Sequence, residues 1–328
     1  MKFCTIGTSW ITEAFIDAAN RSGDAQLAAV YSRRLETAQA FANKHGAVKA
    51  YTDIKEMLEA DECDFVYIAS PNILHPDHIK IAIQSGKHVF CEKPMVFTDK
   101  QWQKIAQLSK AHEVFVFEGF RHLFSPNYQR LKKELTNIGT IRSALLQYGQ
   151  YSSRYDKYRE GEEPNVFSPQ FAGGALMDLG VYPLSMAIDL FGHPQDFSYY
   201  PVLLKNGIDG SGTMVLTYDG FIVTILCSKI TNAFMQSEIH GEDGTLIMDA
   251  IAPISQLQLH DRKTAQINEL ANEQYEADMV FEIQAFVKMV SGNNWQLHDS
   301  YLERSRTIAQ LTEKMREENG IHFPNELR

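Results

Sequence analysis

The sequence predicts an α/β chain of two domains: a doubly wound parallel sheet, then an α+β domain built on a large, mainly antiparallel sheet. Three observations carry that prediction. Over residues 1–120 the apolar runs KFCTIG, LAAVYSR, DFVYIASP, HVFCEKP and VFVFEG alternate with amphipathic stretches of helical period. Continuous apolar strands spaced by helices form a parallel sheet covered on both faces. After Gly119 the alternation stops, and strands succeed one another around Asp219-Gly220 and Asp243-Gly244, the turn chemistry of antiparallel hairpins. A chain of 328 residues is long enough to give each part its own core. The expected division is 1–120 and 121–328.

In the first domain, helices are expected at residues 12–23, 36–46, 54–60, 75–87 and 99–113, where apolar residues recur at helical spacing. Local chemistry sets their ends. Gly23, Gly46 and Gly86 follow the last periodic residues, and Thr98 with Asp99 makes an N-terminal cap. In the second domain FSPNYQRLKKELTNIG reads as a helix capped by Ser125 and ended by Gly139, and TIRSALLQYGQYSS as a strand. A polar stretch from Arg154 to Gln170 precedes the long apolar helix GGALMDLGVYPLSMAIDLFG. Hairpin strands follow, and the helices DMVFEIQAFVKMVSG and YLERSRTIAQLTEKMREENG close the chain.

Composition narrows the function. At 44% apolar and 22% charged residues the chain has the balance of a globular protein. Its formal net charge of −10 argues against nucleic acid or an anionic membrane as the main partner. Cys4, Cys63, Cys91 and Cys227 are scattered, and HPDH at 75–78 lacks the company a metal needs. No metal is therefore expected, and a reducing compartment suits the thiols. The opening run FCTIG is too short for a signal peptide, and no segment approaches the length of a membrane span. A cytoplasmic protein is the expectation.

The stretch IGTSWIT, between the first strand and the first helix, stands where a dinucleotide-binding turn would lie. Exposed N–H groups of a first helical turn and the helix dipole both favour phosphate. Gly7 can make the turn, so Gly7, Thr8, Ser9, Trp10 and Ile11 are candidate cofactor contacts. The usual fingerprint of a Rossmann domain has three glycines, whereas Ser9 and Thr12 stand at the second and third places here. The motif alone is equally a plain first turn of an α/β domain. The second strand adds information, because it ends YSRR without a carboxylate for a ribose hydroxyl. Ser32, Arg33 and Arg34 supply a hydroxyl and two guanidinium groups, which suit the 2′-phosphate of NADP; two solvated arginines at a strand end are the bland alternative.

Two further segments carry chemistry. HVFCEKP delivers Glu92, Lys93 and Pro94 to the carboxyl end of a buried strand, where open α/β sheets place ligands. In AGGALMDLGVYPL, Asp178 and Tyr182 stand four apart on a predicted helix and so share a face. Together these segments resemble the Gfo/Idh/MocA family of NAD(P)-dependent oxidoreductases, which includes glucose–fructose oxidoreductase and inositol dehydrogenase. IASPNILHPDHIKIAIQSGKHVFCEKP is similar to that family throughout. The resemblance continues more thinly through IHGEDGTLIMD and EIQAFVKMVSG to nearly the full chain.

The resemblance implies an N-terminal Rossmann domain that binds NADP, with NAD as the alternative, and a second domain that binds substrate and forms a homodimer or homotetramer. It implies that Lys93 sits beside the nicotinamide, and that Asp178 and Tyr182 are the acid-plus-Tyr pair facing the cofactor. A tyrosine at the last place is similar to dihydrodiol dehydrogenase and glucose–fructose oxidoreductase. Ser70, Pro71, Asn72 and His75 match a segment that lines the cofactor riboses, and Glu92, Lys93 and Pro94 join them. The sequence departs from the family at Ser9, at Thr12 and in GFRHLFSP, where close relatives have an arginine at the place of Leu123. Arg121 and His122 are the candidate substrate contacts there.

The expected reaction is hydride exchange between the nicotinamide and a carbinol carbon of a sugar, polyol or dihydrodiol. Tyr182 would exchange the proton, Lys93 would lower its pKa and hold the substrate oxygen, and Asp178 would orient the pair. Two other readings use the same fold. One is a non-catalytic NAD(P)-binding sensor or regulatory protein; the other is a redox-assisted elimination on permanently held cofactor.

Overall fold

The computed structural model describes residues 1–272, 277–324 and 326, and the chain divides into two compact units. The first unit contains Met1–Phe120 and a later segment that ends at Ala309. Its six strands are β1 (Lys2–Ile6), β2 (Gln26–Tyr31), β3 (Lys49–Tyr51), β4 (Phe65–Ile68), β5 (His88–Glu92) and β6 (Val116–Gly119). They lie in the order β3-β2-β1-β4-β5-β6, and every pairing is parallel. Between them run the helices α1 (Trp10–Ser22), α2 (Leu35–His45), α3 (Ile54–Glu59), α4 (His75–Gln84) and α5 (Asp99–His112). The doubly wound expectation holds. Thr98 caps α5 through a bond from the Gln101 N–H, as its place before Asp99 implies. The strand missing from the sequence reading is β3, whose three residues KAY are too few to show a period.

The later segment corrects the expected division. Residues 121–328 are not one domain, because the helix α9 of this numbering, Met279–Ser291, and the first part of the last helix belong to the first unit. Aromatic packing is the reason. Phe286 of α9 meets Phe65, Phe90 and Phe117 at ring separations of 4.9, 5.3 and 5.7 Å, and Trp295 stacks on Phe115 at 4.4 Å. Such pairs add to the energy of apolar burial. On the same core, Phe15 of α1 stacks on Tyr67.

The second unit begins at Arg121. After helix α6 (Pro126–Glu134), capped by Ser125 as expected, come β7 (Ile141–Gly149), the short helix α7 (Tyr155–Arg159) and α8 (Val181–Phe191). The remaining strands are β8 (Asp196–Leu203), β9 (Asp209–Tyr218), β10 (Phe221–Ser228), β11 (Ser237–Gly241), β12 (Gly244–Met248), β13 (Leu257–Asp261) and β14 (Ile267–Glu269). They form one sheet in the order β14-β13-β12-β11-β7-β10-β9-β8. Only β7 and β10 pair in parallel; the other neighbours are antiparallel. One face is covered, since Tyr199, Met214, Leu216, Val223, Ile225, Ile239 and Leu246 are buried. The last helix is α10 (Trp295–Glu318), whose end from Gln310 belongs to this unit.

The long apolar helix differs from expectation in two ways. It opens with a π-helical turn, Leu176–Gly180, before α8 begins at Val181. Contrary to the sequence reading, Pro169–Phe191 is long and apolar enough by length and composition to cross a membrane, but 78% of its most apolar window is buried in the fold. That burial marks it as a core helix.

Candidate active site

In the first unit the strand order reverses between β1 and β4, and ligands of open α/β sheets lie outside the carboxyl ends of the strands at such a point. Gly7 follows β1 there with φ +125°, and a Cβ on it would stand 2.6 Å from the Ala69 carbonyl oxygen. Only glycine allows that approach. Ser9 is the N-cap residue of α1 with extended backbone, and its side chain makes no capping bond. Ser9 and Trp10 are exposed, Thr8 and Ile11 half-buried. Thr12 is fully buried, with its hydroxyl lacking a hydrogen-bond partner. The third glycine of the fingerprint is thus replaced by a side chain that packs under the helix, leaving the exposed amide end of α1 intact. The cradle fits a pyrophosphate.

At the end of β2, the Ser32 N–H donates to the Tyr51 carbonyl, Arg34 is the N-cap residue of α2, and Arg33 and Arg34 are exposed. Neither guanidinium has an ion-pair partner among the described residues. After β4, the Ser70 hydroxyl lies 2.9 Å from His78 Nδ1, Asn72 opens a short 3-10 turn, and Pro71 is exposed. After β5, Tyr67 donates to Glu92 Oε1 at 2.7 Å, and burial with the neighbouring Glu92 pushes the Tyr67 phenol well above its ordinary value, keeping it a donor. The Lys93-Pro94 bond is cis. Lys93 is half-buried and Pro94 buried.

His75 stands between these two turns. It is 1% exposed, with Nδ1 2.9 Å from the Pro94 carbonyl oxygen and Nε2 2.7 Å from that of Ser70. It lies between the turn after β4 and the turn after β5, with a backbone carbonyl oxygen at each ring nitrogen. Both acceptors would welcome a charged ring, but burial prevails and holds its pKa at about 4, below the ordinary 6.5. The neutral ring donates from one nitrogen only.

A pH dependence follows. The unfolded chain takes up this proton as pH falls through about 6.5, the folded protein only near 4, so stability present above 6.5 is lost on acidification. The loss between pH 7 and 5 is about 2 kcal/mol. Glu118, whose carboxyl burial pushes from 4.5 up to about 7, has the opposite sign: its contribution is full below 4.5 and fades as pH rises through 7. The test is therefore the difference between wild type and His75→Gln in urea unfolding at the two pH values. The variant should lose less stability than wild type; an equal loss would show that His75 is not the group responsible.

In the second unit, Arg121 and His122 lie in the 3-10 turn Arg121–Phe124. Arg121 is half-buried. His122 is fully buried, with Nε2 3.0 Å from the Tyr182 carbonyl oxygen and 3.2 Å from the Ser185 hydroxyl. Through these contacts it braces the first turn of α8. Tyr182 is 9% exposed, and its ring contacts Tyr148 edge-on at 5.4 Å and His122 at 5.1 Å.

Asp178 lies in the π-helical turn, a feature often found at functional sites, and forms an ion pair with Lys229. Lys229 follows β10, its side chain is 5% exposed, and its ammonium stands over the Phe167 ring at 5.7 Å. Lys229 and Tyr148 were not singled out in the sequence; a lysine closing the apolar strand FIVTILCSK was the one available signal. The start of the π turn is held by Asp209, which accepts the Leu176 N–H at 2.6 Å and the Tyr199 hydroxyl at 2.7 Å. Gly174, at φ +106°, leaves room for that carboxylate, which a Cβ would strike.

Among the described residues no group of acidic, histidine and cysteine side chains could hold a metal. A polar depression lined by Met1, Lys2, Asp24, Asp61 and Asp64 lies where β1 and β4 begin, at the wrong end of the sheet for the turns described above.

A doubly wound parallel sheet with a basic second-strand end, followed by a unit that pairs a mainly antiparallel sheet with a helical Asp178/Tyr182 segment, is the arrangement expected of an NAD(P)-dependent oxidoreductase. Residues 1–120 match the model of an oxidoreductase family with an NAD-binding Rossmann fold, and residues 128–247 match the GFO/IDH/MocA C-terminal domain. The chain belongs to the Gfo/Idh/MocA family. It is 40% identical to the scyllo-inositol 2-dehydrogenase (NADP(+)) IolU of Bacillus subtilis over 99% of this chain and 98% of that one. It is 28% identical to a trans-1,2-dihydrobenzene-1,2-diol dehydrogenase of Xenopus tropicalis, covering 68% and 67%. A 3-ketoreductase from Actinomadura kijaniata, solved with NADP and TDP-benzene, shares the fold with a TM-score of 0.85 at 22% identity, covering 97% of each chain.

Proposed function

We propose that the protein is an NADP(H)-preferring dehydrogenase that exchanges hydride between the nicotinamide and a carbinol carbon of a sugar, polyol or dihydrodiol, with a cyclitol of the inositol kind as the first candidate. One observation carries the reading: the Glu92-Lys93-Pro94 turn places an ammonium-bearing side chain at the ligand end of β5, between buried polar braces. The Gly7 turn and the amide end of α1 would hold the pyrophosphate, and Arg33 and Arg34 the 2′-phosphate. The nicotinamide, when bound, supplies the hydride chemistry. Lys93 holds the substrate oxygen, Tyr182 gives or takes its proton, and Asp178, anchored by Lys229, orients a substrate hydroxyl. The match to the inositol dehydrogenase supports the substrate class.

The first test is a titration with NADPH and NADH followed by nicotinamide fluorescence, then a screen of inositols, aldoses and dihydrodiols. NADPH should bind more tightly. Losing a charge-assisted bond to a phosphate should cost Arg33→Ala or Arg34→Ala about 10-fold to 100-fold in NADPH affinity, with NADH unchanged. Equal affinities for both nucleotides would remove the arginines from this role. Binding of neither would turn the reading to a non-catalytic protein of the same fold.

We assign the homo-oligomer interface to the outer face of the eight-stranded sheet. The register puts Tyr200, Val202, Val215, Ile222, Leu226 and Leu145 on one side, and Tyr200, Val202 and Ile222 are exposed. Such a patch fits a second copy.

A further inference from the structure

We propose that Glu118 is a positioning residue for Lys93, acting through the backbone of the turn that carries it. Glu118 lies on β6 opposite Cys91 of β5, one strand away from the turn it serves. Its Oε1 accepts the Met95 N–H at 2.7 Å in a buried bond, two residues beyond Lys93. From the other side His75 Nδ1 meets the carbonyl oxygen of Pro94. The two polar groups of the Pro94–Met95 peptide thus each meet a buried side chain from a different element, while Tyr67 holds Glu92. Glu92, Pro94 and Met95 thus each meet a buried or half-buried side chain from a neighbouring strand or helix.

The carboxylate is costly, and its surroundings show why it is tolerated. It is 7% exposed. Ser305, the Met95 N–H, Arg304 and Lys93 all favour its charged form, yet burial outweighs them and pushes it up to about 7. A buried carboxyl near neutrality is an expensive acceptor for one hydroxyl and one amide, unless the placement of that amide matters. The hold on Met95 uses an oxygen lone pair that exists in both protonation states, so it persists through the titration. A glutamine keeps that acceptor and loses the charge. An aspartate keeps the charge and loses the reach.

The inference rests on the role given to Lys93 above, and the experiment separates the two. Glu118→Asp, Glu118→Gln, Lys93→Met and wild type are compared for amide hydrogen exchange at Met95, NADPH affinity, and kcat and KM with NADP+ and scyllo-inositol, or with the alcohol from the screen that wild type oxidises. In Glu118→Asp, Met95 exchange should rise at least tenfold and kcat should fall at least tenfold, with NADPH affinity within threefold. Glu118→Gln should keep both near wild type. Unchanged Met95 exchange in Glu118→Asp, or faster exchange with kcat within twofold, overturns the proposal while Lys93 keeps its role. A Glu118→Gln as impaired as Glu118→Asp overturns it in favour of charge. An active Lys93→Met, or a wild type that oxidises no alcohol, overturns the reading of Lys93 and this inference with it.

Discussion

Lys93→Met is expected to lower kcat by about 10²-fold to 10³-fold, the effect of removing one preorganised charge from the oxygen at which charge develops. NADPH affinity should stay within about threefold, because the groups proposed to hold the phosphates, Gly7 with the amide end of α1 and Arg33 with Arg34, are other residues. Methionine is one atom shorter but keeps much of the bulk of the side chain, so the half-buried site is not emptied. The backbone ties of the turn, from His75 to Pro94 and from Glu118 to Met95, do not involve the ammonium and should survive. Steady-state kinetics and nucleotide fluorescence on the same preparation decide the matter. Loss of both kcat and NADPH binding would instead make Lys93 a cofactor anchor.

The second large effect is Tyr182→Phe, expected to cost about 10²-fold to 10⁴-fold in kcat, the range of a positioned proton donor or acceptor. The substitution deletes one oxygen and leaves the ring. Its contacts with Tyr148 and His122 and the bond from His122 to its backbone oxygen remain, so the variant should fold. A phenol titrates at about 10 when unperturbed, and it must serve below that pH. The wild-type kcat profile should therefore show an ionisation that disappears in the variant. Near-normal turnover by Tyr182→Phe on a substrate that wild type oxidises would hand the proton to another group.

The elements that carry the candidate site were legible because their signals are local. A strand that ends in EKP, a helix that begins beyond Gly7 and a strand that ends in YSRR are each read within a few residues, where side-chain period and caps decide the conformation. The hairpins at Asp219-Gly220 and Asp243-Gly244 were legible for the same reason, and pair as expected. What the sequence did not show is which side chains are buried and what they meet. His75 and His122 are both buried against backbone carbonyl oxygens. Asp178 finds Lys229, 51 residues away, and no spacing announces that pair.

What the sequence by itself determined is the order and type of the elements and the chemistry at their ends. Apolar periodicity, glycine and capping residues act over one turn or one strand, and need no knowledge of the rest of the chain. Only the tertiary structure decided which side chains are spent on holding the site. Phe286 draws α9 into the first unit because its ring completes an aromatic core whose other members come from β4, β5 and β6. Glu118 serves Met95 because adjacent parallel strands bring β6 against the end of β5. Burial and long-range pairing are properties of the packed chain, and no local signal announces them.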